Sequence, residues 1–281
     1  MAIAHRGDRG ARYFHGFPTV DHDVLVQARR EIQKWFKEQK QACTTATAAA
    51  LTEAGIPEKY WDDTPSVLVD GPSRPQLLTE MAQDFQADLI LLGPNQAAPK
   101  GRFFPSSTAD TLLHYSPQSL GLIPRKAKLS KHGVTRFNFV ITERGDRADR
   151  ELLGAAALAD RWDLPLRILA FSANDLLNSP SKDKSDIALK LTAEWHEDSL
   201  AMLDRARDRI QDAYPELEVS SEIGSGAGWS GAVDSLKWKK GDLMLMASTP
   251  QGPIARVFLG SNATELLPHI RVPVLIHPAT D

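Results

Sequence analysis

Beyond residue 136, short apolar runs alternate with longer stretches in which apolar residues recur every three or four positions, the periods of strand and helix. The pattern predicts β-α-β-α-β-α-β-α-β, with strands at 137–142, 166–171, 217–223, 242–247 and 272–277. The longest helix runs over 185–213, where Ile187, Leu191, Trp195, Met202, Leu203, Ala206 and Ile210 share a face. The run Leu-Met-Leu-Met at 243–246 is apolar on both faces of its strand. Such strands belong to a parallel sheet with helices on each side.

The first half carries the later part of the same pattern. Val24, Ala28, Ile32, Trp35 and Ala42 begin a long amphipathic helix. A strand at 66–69, a helix at 76–85, a strand at 88–92, a helix from Thr108 and a strand at 119–123 follow. Shifting the chain on itself by about 154 residues superposes the halves without a gap. Leu89 falls on Leu243, Leu91 on Leu245, Arg102 on Arg256, Phe104 on Phe258, Ser107 on Ser261 and Pro124 on Pro278. Only residues 1–22 precede the first long helix, whereas the second half has a strand, a helix and a strand there. A β-α-β unit needs about 30 residues, so the first half is expected to lack its opening unit. Three regions follow: 1–124, a degenerate or truncated copy; 125–134, a basic aperiodic linker; and 135–281, a complete copy.

Charge and composition narrow the partners. The 281 residues carry a formal net charge of -3, which gives no general attraction to nucleic acid or to an anionic membrane. No apolar run approaches the roughly 20 residues of a membrane span, and the start of the chain has no signal-peptide pattern. A cytoplasmic location is expected. Cys43 is the one cysteine, so an intrachain disulfide is excluded.

The chemistry-bearing motifs are few. The eight histidines show no His-x-x-x-His spacing, and neither a Gly-x-Ser-x-Gly elbow nor a Gly-x-x-x-x-Gly-Lys-Ser/Thr loop occurs. No catalytic residue, no metal and no enzyme activity are expected. Two glycine-bearing turns stand between a strand and a helix, where free backbone N–H groups favour an anion. Gly226, Gly228 and Gly231 form Gly-x-Gly-x-x-Gly, but no acid follows at the next strand end to hold a ribose. That turn reads better as close helix-to-sheet packing. The second turn is Gly260-Ser261, before a helix starting at Asn262. Ser261 there is either a helix cap or a phosphate contact, and Glu265 falls in the first turn.

The strand at 242–247, the small-residue loop, the stretch ending in Leu259-Gly260-Ser261, and Val272-Pro-Val-Leu-Ile276 together resemble the universal stress protein family in its tandem form. The resemblance implies an α/β fold: two tandem parallel-sheet, adenine-nucleotide alpha-hydrolase-like domains with helices on both faces, the first lacking its opening β-α-β unit. ATP-binding members carry Gly-x-x-Gly, nine residues, then Gly-Ser/Thr, with an Asp at the first strand end. In the second half Ala247 and Pro250 replace the leading glycines, while Gly260 and Ser261 match. The first-strand Asp falls on Thr142 or Glu143. In the first half Gly93 matches, Gln96 replaces the second glycine and Ser106-Ser107 replaces Gly-Ser.

The resemblance therefore implies a non-enzymatic stress-response regulator or interaction module without robust ATP binding. Its alternative is ATP binding in the C-terminal cleft only, by Thr142, Glu143, Ala247, Gly252, Arg256, Gly260, Ser261 and Asn262. Protein partners and adenine nucleotide are the partners it implies. It also implies that the last strands of the halves, 119–123 and 272–277, pair within one chain as a pseudo-dimer, and it leaves a further homodimer open.

Overall fold

The computed structural model describes residues 22–64, 66–69, 71–127, 129–141, 145–172, 186–248, 257 and 261–278. The chain divides into two compact units, Met1–Gln86 and Ala87–Asp281.

In the first unit, α1 (His22–Glu53) is followed by a single 3-10 turn and α2 (Arg74–Asp84). Ser73 caps α2 by accepting the Gln76 N–H, and Pro75 occupies an early helical position where its missing N–H costs nothing. The strand expected at 66–69 is reduced to one bridged residue, Val69, although Leu68 and Val69 are buried. The stripe on α1 also differs from expectation. Ile32 and Trp35 are exposed, while Phe36, Cys43, Thr47 and Leu51 are half-buried at helical spacing. Within this unit the 66–69 segment and α2 are short, and a brief contact selects a narrow stripe; Thr44 Oγ1 lies 2.9 Å from Ser66 Oγ.

The second unit contains β1 (Leu89–Leu92), α3 (Ser107–Tyr115), β2 (Ser119–Leu122), β3 (Arg136–Val140), α4 (Asp146–Arg161), β4 (Leu166–Ser172), α5 (Asp186–Ala213), β5 (Val219–Ser225), α6 (Gly228–Asp234), β6 (Asp242–Ala247), α7 (Ser261–Leu266) and β7 (Val274–His277). They build one seven-stranded sheet in the order β1-β2-β7-β6-β3-β4-β5. Every pairing is parallel except that of β2 with β7, where Leu120, Gly121 and Leu122 stand opposite Ile276, Leu275 and Val274. The expected pairing of the two last strands within one chain is present.

The larger core lies where α4 and α5 cover one face of β3, β4 and β6. Phe137, Phe139, Leu166, Ile168 and Leu245 pack there against Leu152, Ala156, Leu203 and Ile210. The first half has no counterpart of α4 among the described residues. Accordingly Leu89 and Leu91, in register with Leu243 and Leu245, are 39% and 65% exposed, whereas Leu245 is 6% exposed. Leu91 leans over β2, its Cδ2 occupying the space a Cβ on Gly121 would take. The 125–134 segment is more than a solvated linker. Arg125 exchanges backbone hydrogen bonds with Gly101 and Arg102, and Ser130 N–H donates to Lys240 O. No helix among the described residues is long and apolar enough to cross a membrane.

The opposite face carries a charged cluster at the start of its strands. Arg136 donates Nε and Nη2 to the two Asp242 carboxylate oxygens at 2.7 and 2.8 Å. Arg167, 3% exposed, donates Nε to Asn138 Oδ1 and Nη1 to Glu222 Oε2, and lies 4.9 Å above the Trp238 ring. Asp242 is the common acceptor, since the Lys239 N–H also donates to it. Removing one partner from a buried pair leaves uncompensated charge. Asp242→Ala is therefore expected to destabilise the sheet unit by about 3 kcal/mol, measured by urea unfolding followed at the tryptophans.

Candidate functional site

Parallel α/β sheets bind ligands outside the carboxyl ends of strands where the strand order reverses. Here that place is β3, which pairs with β4 on one side and β6 on the other. The register of β3 with β6 sets the chain leaving Val140 beside the chain leaving Ala247. The fold thus brings together the two segments carrying the predicted nucleotide residues. Ala247 ends β6 half-buried at the margin of the core, Ser248 after it is fully buried, and Asn262 is exposed in the first turn of α7. Thr142, Glu143, Gly252, Arg256 and Gly260 lie outside the described residues, as does the side chain of Ser261. The backbone of Ser261 is the first residue of α7, as in α3, where Ser107 is first and Ser106 is the cap.

In the first half the corresponding turn serves its own helix. Ser106 Oγ accepts the Ala109 N–H at 3.3 Å, so the hydroxyl standing where the motif has glycine is a helix cap. Glu265 of α7 accepts a hydrogen bond from Trp229 Nε1 at 2.9 Å, tying α7 to α6.

The Gly-x-Gly-x-x-Gly turn has a packing role. A Cβ on Gly226 would lie 2.5 Å from the Gly231 carbonyl carbon, and one on Gly224 would lie 2.6 Å from Ala232 O. Gly228 adopts φ +62°, a left-handed conformation that glycine takes at least cost. These glycines let α6 sit directly on the end of β5.

Sequence reasoning paired Arg102 with Arg256 but missed what Arg102 does. From the β1–α3 connection it reaches across the seam, donating Nη1 to His269 O and Nη2 to Ser230 Oγ and the Asp234 carboxylate. Arg271 closes the cluster with two hydrogen bonds to Asp234 at 2.5 and 2.6 Å. A second crossing runs the other way: Val257, fully buried in the β6–α7 connection, donates its N–H to Ser116 O at 2.7 Å. Each half thus fastens a loop of the other, and Val257 belongs to the nine-residue stretch between Pro250 and Gly260. The only sequence signal was the register of Arg and Phe between the two halves.

Hydrogen bonds from Arg271, and the nearby charge of Arg102, hold Asp234 below the ordinary aspartate range. A carboxyl with a depressed folded pKa contributes stability above its unfolded pKa and loses it as pH falls through the folded value. Asp234→Asn is expected to cost up to about 1 kcal/mol at neutral pH, because the partly exposed carboxylate is screened by solvent. The difference from the parent protein should shrink below about pH 4 and vanish once Asp234 is protonated, as read by denaturant midpoints across that range.

Comparison with known proteins places the chain. The profile of the Universal stress protein family matches residues 140–278. A universal stress protein of Mycobacterium tuberculosis is 26% identical over 201 residues, covering 72% of this chain and 68% of that protein, and one of Mycobacterium bovis gives the same figures. Among solved structures, a universal stress protein from Archaeoglobus fulgidus shares the fold, with a TM-score of 0.52, 16% identity, and coverage of 92% of this chain and 82% of that one. A shorter one from the same organism, solved in complex with dAMP, has a TM-score of 0.30 and 16% identity, and covers 51% of this chain and 97% of its own. A mostly parallel sheet that reverses its order at β3, with the family's profile running from the end of that strand to just past β7, identifies residues 140–278 as a universal stress protein domain.

Proposed function

We propose that this chain is a tandem universal stress protein that works as a non-enzymatic stress-response regulator or interaction module without robust ATP binding. In this reading the first copy is a built-in partner for the second. The observation that carries the reading is the loss of both leading glycines at the end of β6. Ala247 holds the first position and Pro250 the second, and proline has no N–H to offer a phosphate and a fixed φ. The first half supports it as well. Its Ser106 hydroxyl is engaged as a cap, and the strand that would carry the nucleoside-binding acid has no counterpart in this half among the described residues.

The second reading is adenine-nucleotide binding in the C-terminal cleft. What favours it is the start of α7 at Ser261, directly after the retained Gly260, at a sheet position suited to a ligand. Ligand binding to the native state alone raises the melting temperature by mass action. For the full chain, millimolar ATP with magnesium is expected to leave the melting temperature unchanged in a thermal shift assay. A concentration-dependent rise would overturn the proposal in favour of the second reading, and release of phosphate or AMP would overturn its non-enzymatic part.

A further inference from the structure

The first unit contains a cavity of about 670 Å³ bounded by α1, the 67–69 segment and the end of α2. Its size is that of a small-molecule site, and such sites combine an apolar body with few polar groups. Phe36, Val67, Met81 and Phe85 supply apolar wall. In the second half, β5 falls in sequence register with the 66–69 segment and pairs with β4 along its length. The first half has no counterpart of β4 among the described residues.

The charges on this cavity are specific. Lys37 and Lys40 stand three residues apart on α1, hence on one face of the helix, and both line the cavity. Asp84 is the acid among the lining residues. Neither lysine has an ion pair among the described residues; the pair on α1 is Lys34 with Glu38, elsewhere on the helix. Two ammonium groups and one carboxylate leave a surplus of one positive charge beside an apolar space. That balance suits a monoanion with an apolar tail. A phosphate dianion would carry its second charge toward Asp84 with no cation to match it.

We propose that this cavity binds a single-tailed carboxylate of the fatty-acid class, the tail lying against Phe36, Val67 and Met81 and the carboxylate between Lys37 and Lys40. None of its lining residues belongs to the ends of β3 or β6, so its test is independent of ATP binding.

The test uses isothermal titration of the full chain with octanoate, dodecanoate and dodecanol below their micelle concentrations. Dodecanoate is expected to bind saturably with one site per chain. Octanoate, four methylenes shorter, should bind on the order of a hundredfold more weakly, from the apolar transfer energy of each methylene. Dodecanol, with the same tail and no charge, should bind about tenfold more weakly than dodecanoate. The double variant Lys37→Glu, Lys40→Glu, both exposed positions that leave the core untouched, should lose at least tenfold for dodecanoate and nothing for dodecanol. Met81→Trp, which narrows the apolar wall, should weaken both. The proposal is overturned if dodecanoate gives no saturable heat, if dodecanol binds as tightly, or if the lysine variant with an unchanged circular dichroism spectrum keeps its affinity.

Discussion

The antiparallel pairing of β2 with β7 is the contact on which the unit from Ala87 to Asp281 depends. Each half of the chain ends in a strand that would otherwise present an open row of backbone donors and acceptors. Open edges of that kind favour uncontrolled association. Joining them inside one chain satisfies both edges and makes a single sheet of two parallel ones. The crossing loops then follow from the seam. Arg102 reaches α6 and the turn after α7 because β2 and β7 set the halves side by side, and Val257 reaches Ser116 for the same reason.

The seam also accounts for what the first half keeps. β2, the residue after α3 and the Arg102 connection touch the second half. The opening β-α-β unit would lie on the far side of β1, away from the seam. Among the described residues no element of the sheet unit stands there: Leu91 lies exposed where Leu245 is covered, and Gly121 accommodates the Leu91 side chain. Burial of an apolar side chain requires a second layer, and Leu91 of β1 has none among the described residues.

The charged cluster around Asp242 shows a different use of the sheet. Its two arginines arise from β3 and β4 and its central carboxylate from β6, so it forms only when these strands adopt their native order. Buried pairs contribute little net stability but penalise arrangements that separate the partners. Placed at the amino ends of the strands, the cluster leaves the carboxyl ends, where a ligand would bind, free of it.

Much of the architecture was legible in the chain itself. Apolar runs at strand spacing gave the alternation of β3 to β7 with its helices, because period and turn chemistry are local properties. The candidate site was legible as a motif with its leading glycines replaced, which is a matter of residue identity. The tertiary structure decided what local pattern leaves open. The 66–69 run has the composition of a strand but holds a single bridge, and the stripe of α1 rotated from Ile32 and Trp35 to Phe36 and Cys43. In both cases the residues have the propensity but little of a partner among the described residues. Arg102 reads in sequence as a loop charge and becomes a clamp only once the seam exists, whereas the packing role read for Gly226 and Gly231 is the one found where α6 meets β5. Sequence set which segments could be strands and helices; the strand partners, which lie far away along the chain, determined which of them became so and which surfaces were left uncovered.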